Sequence, residues 1–283
     1  SMSNLWSAHL LRQRRSRTFW ISMGIMAASG ALEALLGYGA MVELLRSGVE
    51  DAFVSLDSRY VLFHFIAGLL LSVFCALFTG AEYSDGAMRR TLAAGHSRAV
   101  VYLSHLALSV MVGVLLCLGY IAAVLAVGLP LLGPLQIPAS TILFFTLCAF
   151  VMTAALAALF TLISMLCQNK AVTAVASIFL AYFLLFLGIF FNSRLTEPEF
   201  YPARQYVEDG QIVTEEARPN PFYVQGPRRE LYQFFYDLPG CQAVQLVAGL
   251  EHGLSGRLLL YSLAVGAAST GAGVVLFRKK DLN

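Results

Sequence analysis

A charged segment over residues 82–98 holds the side chains best suited to chemistry or to docking another protein. It reads Glu82-Tyr-Ser-Asp-Gly-Ala-Met-Arg-Arg-Thr-Leu-Ala-Ala-Gly-His-Ser-Arg98 and lies between two long apolar runs. Ser84 is suited to cap a helix, and Asp85 and Arg89 have the i, i+4 spacing of a helical ion pair. Gly95 offers a helix stop, and Ser97 a cap for the next span. These residues predict a helix of about ten residues on the membrane surface; the alternative is a solvated loop.

Three ionisable residues, Glu33, His64 and His105, fall inside the apolar runs. A carboxylate such as Glu33 costs at least a few kcal/mol in a bilayer unless it is protonated, paired or hydrated. Glu33 is therefore expected either to line a substrate path or to bond a neighbouring span or reach an external vestibule. His64 and His105 lie at opposite membrane depths, so they predict no metal pair, and each also fits a packed core histidine. Glu33 and His64 share the outer half and are able to meet.

Motifs for enzymatic chemistry are missing from the sequence. It contains no Gly-x-x-x-x-Gly-Lys-Ser/Thr phosphate loop, no zinc-binding HExxH and no Gly-x-Ser-x-Gly nucleophile elbow. The five cysteines contain no CxxC pair and read as small core residues. We therefore predict no catalytic residue, no metal site and no cofactor in this chain.

Composition places the chain in a membrane. Hydrophobic residues make up 58% and charged residues 13%, whereas soluble domains carry about 25% charged residues. The net charge of +2 does not suggest a nucleic-acid partner. Six runs reach the length needed to cross a bilayer, and each must be helical because lipid offers backbone amides no partner. The predicted spans are Thr18–Met41, Tyr60–Ala81, Ala99–Leu125, Thr141–Cys167, Ala171–Asn192 and Gly256–Phe277. The predicted fold class is an all-α membrane protein.

The distribution of lysine and arginine predicts the orientation. Positive charges concentrate in the N-terminal segment, in residues 82–98, at Lys170 and in the tail Arg278-Lys-Lys280. Short loops rich in these residues stay in the cytoplasm. Both termini are therefore predicted to be cytoplasmic and residues 193–255 external.

Two further segments lie outside the predicted spans. Leu5, Trp6, His9 and Leu10 share one helical face, which indicates an amphipathic helix on the inner leaflet within residues 1–17; the alternative is a frayed tail held by arginine–lipid contacts. In the external segment, Asp209-Gly210 indicates a hairpin turn, followed by helices at Leu231–Leu238 and Cys241–Leu250. The chain is thus divided into residues 1–17 and a six-span domain over residues 18–283.

Taken together, these features resemble the membrane subunit of a type-2 ATP-binding-cassette exporter, in the bacterial permease group that includes peptide-antibiotic immunity and related exporters. The resemblance rests on the arginine-rich N-terminus and on four motifs: Glu82-Tyr-Ser-Asp-Gly-x-x-Arg-Arg-Thr-Leu with Gly95-x-Ser-Arg98, Gln168-Asn-Lys170, Asn220-Pro-x-Tyr-Val-x-Gly226, and Arg278-Lys-Lys-Asp-Leu282. It covers essentially the whole chain. The family's Gly-Thr after the acidic start is Gly86-Ala87 here, which removes one hydroxyl.

The resemblance implies a function and its partners. Such permeases work as pairs in the bacterial plasma membrane, with the first and fifth spans at the dimer interface. Each docks a cytosolic ATPase, which binds ATP and Mg²⁺. The segment 82–98 is implied to be the coupling helix, and its contact residues would be Glu82, Tyr83, Asp85, Gly86, Arg89, Arg90, Thr91 and Arg98. Candidate residues of the translocation path are Glu33, His64 and His105.

A second class of function also fits the sequence. A non-transporting sensor or assembly scaffold would use the same charged segment to dock a cytosolic regulator. Residues alone leave the substrate open, since a peptide antibiotic, a lipid or a drug would each suit an apolar path with few charges.

Overall fold

The computed structural model describes residues 2–167, 169–208 and 211–280, and it confirms an all-α membrane protein. The short helices are α1 (Met2–Arg14), α3 (Asp57–Tyr60), α5 (Ala87–Ala93), α9 (Pro227–Tyr236) and α10 (Gln242–His252). The long helices are α2 (Arg17–Arg46), α4 (Phe63–Ser84), α6 (Arg98–Leu132), α7 (Ala139–Cys167), α8 (Lys170–Leu195) and α11 (Arg257–Lys279).

Among the described residues, six helical segments are long and apolar enough to cross a membrane. They coincide with the six predicted runs, with α3 and α4 together forming the second. Most extend a few residues beyond the predicted ends. The third is the longest at 35 residues, and it includes Pro130 near its end. The length of each apolar run predicted a helical span, because in lipid a single segment satisfies its backbone hydrogen bonds only as a helix.

Helix α6 is the centre of the packing, with α2 and α7 against it. Gly30 lets α2 approach closely: a Cβ atom there would lie 2.5 Å from the Tyr120 carbonyl oxygen of α6. Gly39, on the same helix, has no atom within 4 Å of its Cβ position. The small residues of the first span therefore serve packing within the chain at Gly30 and leave open space at Gly39.

A buried carboxylate, Asp57, fastens the loop between α6 and α7 to the start of the second span. It is 4% exposed, and it accepts hydrogen bonds from the backbone amides of Gln136 and Ile137 at 3.0–3.3 Å and from Ser55 Oγ at 2.5 Å. Charge-assisted bonds of this kind are about twice as strong as neutral ones. The end of the molecule opposite α5 is thereby held by polar contacts as well as by apolar packing.

Residues 196–208 and 211–256 form a small unit between α8 and α11. Two antiparallel strand pairs occur: β1 (Phe200–Tyr201) with β4 (Arg218–Pro219), and β2 (Arg204–Glu208) with β3 (Gln211–Glu215). The β2–β3 register is that of the predicted hairpin, whose turn residues Asp209 and Gly210 lie outside the described residues. Helices α9 and α10 correspond to the two predicted helices. Between them, burial raises the pKa of the Cys241 thiol to about 12, consistent with a packed and unreactive cysteine.

Candidate functional site

The charged segment forms a helix shorter than predicted. Helix α5 has seven residues, and it begins after Gly86, whose φ of 68° is left-handed. The prediction that Ser84 caps this helix is wrong: Ser84 belongs to α4, and its hydroxyl donates to the Ala81 carbonyl. Helix α4 continues to Ser84 because its hydrogen-bonded ladder is already formed, so the break occurs where glycine tolerates positive φ. Gly95, at φ 87°, follows the end of α5, as predicted for a helix stop.

The buried side chain of Met88 anchors α5 to the spans. Its side chain is 1% exposed and packs in a cluster with Tyr102, Met165 and Phe277, which lie on three different spans. The next two residues along the chain, Arg89 and Arg90, are exposed. Helix α5 therefore joins an apolar anchor to an outward basic pair.

The remaining predicted contact residues divide between outward and inward positions. Thr91 is half-buried, and its hydroxyl donates to the Ala87 carbonyl at 2.9 Å. Tyr83 points into the bundle, where its hydroxyl donates to the Met165 carbonyl of α7 at 2.7 Å. Asp85 is exposed but does not form the predicted pair with Arg89, because it lies before the α5 turn and pairs with Arg12 at 3.2 Å.

Arg98 binds the C-terminal tail. Its guanidinium donates to the backbone carbonyl of Phe277 at 3.2 Å and also to that of Lys280. Ser97 caps α6 as predicted, with its Oγ accepting from the Val100 amide at 3.3 Å. Arg98 therefore connects the end of the charged segment to the last span. Asp281 and Leu282, part of the tail motif, lie outside the described residues, as does Gln168 of the α7–α8 turn.

Glu82 is buried, not on the surface, and its carboxylate contacts side chains of α1 and α6. It is 4% exposed; its Oε2 lies 2.8 Å from His105 Nε2, and its Oε1 lies 3.4 Å from His9 Nδ1 and 3.2 Å from Arg12 Nη1. His105, predicted for the translocation path, thus contacts the base of the charged segment. We call His9, Glu82 and His105 the inner cluster.

The inward face of α1 differs from the predicted apolar stripe. His9 and Gln13 are buried, one turn apart, and Trp6 packs partly against the core. Leu11 is 58% exposed. The helix was predicted correctly, but His9 and Gln13 face the protein, where Glu82 and Ser104 offer partners to His9.

The other two ionisable residues have partners far from α5. Glu33 forms an ion pair with Arg59 of α3, with Oε2 2.9 Å from Nη1, and the two side chains are 26% and 27% exposed. His64 is fully buried, and its Nε2 lies 2.9 Å from the Ala243 carbonyl of α10. The described contacts of Glu33 and His64 therefore join each to a different element and not to one another.

Several positioning residues escaped the sequence analysis. No partner or structural role was predicted for Arg12, Arg59 or Asp57. Their positions did offer a signal: each is a charged residue close to an apolar run, and a charge at the edge of a bilayer needs a partner. The sequence did not indicate which partner, because each contact joins distant parts of the chain.

A groove of about 650 Å³ lies between α6, α7 and α11. It is lined mainly by small and aliphatic side chains, among them Ala154, Ala155 and Ala158 of the alanine-rich fourth span. These residues leave room for an apolar chain or for a neighbouring helix.

Comparison with known proteins agrees with this architecture. A family model described as ABC-2 family transporter protein matches residues 46–205, which include α5 and the second to fifth spans. No curated protein matches the chain in sequence. Because the matched region exceeds half of the 283 residues and the remainder supplies the flanking spans, this chain belongs to the ABC-2 family of transporter membrane proteins.

Proposed function

We propose that this chain is the permease subunit of an ATP-driven exporter and that it is driven by a separate cytosolic ATPase. The observation that carries the proposal is the construction of α5, with Met88 packed among three spans while Arg89 and Arg90 face outward. A helix fastened in this way transmits a rigid-body displacement to the spans, which a loose loop would absorb. ATP and Mg²⁺ would bind in the ATPase, and this chain would supply the path.

The permease is proposed to act with a second permease subunit, the same chain or a related one. In support, α8 is the least buried of the six candidate spans and α2 carries a large exposed apolar surface. The exposed apolar residues of these two helices include Trp20, Ile21, Leu32 and Leu36 on α2 and Val175, Phe179, Tyr182 and Phe186 on α8. Pairing would cover surface that would otherwise face lipid.

The sequence leaves the substrate open among a peptide, a lipid and a drug; because it resembles the group that includes peptide-antibiotic immunity exporters, we propose an amphipathic peptide as the first substrate to test. Glu33 remains a candidate residue of the path, because a quarter of its side chain is exposed. His64 and His105 are buried against other groups, so we propose that they position the helices beside the path.

Co-purification is the experiment that tests the proposal. The permease should copurify with an ATPase that carries a phosphate loop, and the ATPase activity of the complex should exceed that of the free ATPase. A complex with a regulator that hydrolyses no ATP, together with unchanged peptide resistance of cells lacking the permease, would instead establish the sensor or scaffold function.

Orientation is proposed from the charge distribution, with both termini and α5 in the cytoplasm of a bacterial cell. Single cysteines placed at Ser47 and Glu199, both exposed, should react with an impermeant thiol reagent in intact cells. A cysteine at exposed Ala94, beside α5, should react only after the cells are opened. The unsubstituted protein is the control for the native cysteines. Labelling at Ala94 but not at Ser47 in intact cells would show the opposite orientation.

A further inference from the structure

The inner cluster brings three potential metal ligands from three helices together. His9 lies on α1, Glu82 at the end of α4 and His105 on α6. The candidate ligand atoms all lie within 4.8 Å of one another, and all three residues are buried. Among the described residues, no other group of three such side chains meets this distance.

One tautomer of His9 directs a nitrogen lone pair at a carboxylate. While the Ser104 hydroxyl donates to the Val101 carbonyl at 2.8 Å, its oxygen is able to accept the ring proton at its 3.3 Å contact with His9 Nε2. In the tautomer with its proton on Nε2, His9 directs its Nδ1 lone pair toward Glu82 Oε1, 3.4 Å away. Two acceptors at this distance repel unless a cation lies between them.

His105 presents a similar gap. Its Nε2 lies 2.8 Å from Glu82 Oε2, but it is not aligned to form a hydrogen bond with that oxygen. The side chain is 2% exposed, so water does not satisfy the nitrogen from bulk solvent. A buried imidazole nitrogen without an aligned partner is unusual and needs an explanation.

A divalent transition metal satisfies both nitrogens. Two imidazoles and one carboxylate form a ligand set common for Zn²⁺, which leaves a fourth position for water. Metal–ligand bonds of about 2.1 Å place ligand atoms roughly 3.4 Å apart, so the side chains would close by roughly 1 Å or a little more at the widest pair. The Ser104 contact on the second nitrogen of His9 matches the outer hydrogen bond that orients histidine ligands.

Arg12 contacts the same carboxylate that a metal ion would need. Its Nη1 lies 3.2 Å from Glu82 Oε1, and its Nη2 lies 3.2 Å from Asp85 Oδ2. Because the side chain of Arg12 is 35% exposed, it is able to leave Glu82 and keep Asp85. A metal ion and the Arg12–Glu82 contact are therefore alternative occupants of one carboxylate oxygen.

We propose that His9, Glu82 and His105 bind one divalent transition-metal ion of the zinc class, which fastens α1 to the α5 ends of α4 and α6. Glu82 is three residues before Asp85 and four before Gly86, where the chain turns into α5. The ion would therefore stiffen the base of the charged segment. This inference does not depend on the proposed transport function.

Zinc binding to the purified protein tests the inference. The full chain is prepared in lipid nanodiscs without a polyhistidine tag, stripped with a chelator and titrated with Zn²⁺ by calorimetry and elemental analysis. We expect one zinc ion per chain. His9→Gln and His105→Gln should each weaken binding at least tenfold, because even loss of an outer hydrogen-bond partner of a ligand typically costs about 10–100-fold in affinity. His96→Gln, on the loop after α5, should bind as the unsubstituted chain does.

Two further measurements separate a metal site from an ion-pair cluster. Arg12→Gln should tighten zinc binding, because it removes the competing cation. In the second measurement, zinc should slow amide hydrogen exchange in α1 of the unsubstituted chain but not in α1 of the His105→Gln variant. Unchanged affinity in both ligand variants, or no zinc retained by the unsubstituted chain, would overturn the proposal. If a histidine variant does not fold, Glu82→Gln serves as the second test, with the same tenfold criterion.

Discussion

Reversing the charge of Arg89 and Arg90 to glutamate together should abolish transport while leaving the permease folded. Both side chains are exposed on α5, so the free energy of unfolding should change by no more than about 0.5 kcal/mol. Loss of charge complementarity at a docking surface typically costs several kcal/mol, and each 1.4 kcal/mol is tenfold in affinity. Stimulated ATPase activity and copurification of the ATPase should therefore fall at least tenfold.

Two control variants locate the effect. The Arg89→Lys, Arg90→Lys double variant keeps both charges and should retain most of the coupling. Reversal of Arg14 and Arg15, exposed on the N-terminal segment, produces the same change in net charge outside α5. Normal transport by the Arg89→Glu, Arg90→Glu variant would exclude α5 as the coupling contact. Equal loss in the Arg14 and Arg15 variant would attribute the effect to net charge.

Glu33→Gln should destabilise the protein, because it leaves Arg59 with a charge and no counterion at the edge of a low-dielectric region. The pair is only about a quarter exposed, and the contact is a direct 2.9 Å ion pair. Removing one partner of a hydrogen bond to a charged group costs about 1.5–3 kcal/mol. The midpoint of thermal unfolding in detergent should fall, and the Glu33→Gln, Arg59→Gln double variant should recover part of the loss because neither charge remains.

Glu43 provides the matched control, since it is an exposed carboxylate on the same helix. Glu43→Gln should be neutral within about 0.5 kcal/mol. Transport measured across a pH series distinguishes the two interpretations of Glu33. A changed pH profile in a Glu33→Gln variant of normal stability would place the carboxylate in the path and contradict the structural assignment. A variant normal in both respects would show that the ion pair contributes nothing measurable.

Sequence alone predicted the features that depend on neighbouring residues or on the solvent. Six apolar runs gave six spans, because a backbone in lipid must satisfy its hydrogen bonds within a helix. Ser97 was recognised as a cap and Gly95 as a stop, since each acts within one turn of its position. The charged segment was also found from its charges, but its helix was predicted too long, because α4 extended through Ser84 until Gly86 allowed the turn.

Tertiary structure decided the partners of the polar groups within those spans. Arg12 and Asp85 are 73 residues apart in the chain, and His64 and Ala243 are 179 apart, so no local spacing predicts either contact. Glu82 was predicted as a docking residue, yet it is buried between α1 and α6. The physical reason is that hydrophobicity fixes how deep a helix lies, whereas the rotation and neighbours of that helix follow from close packing, as at Gly30 against Tyr120.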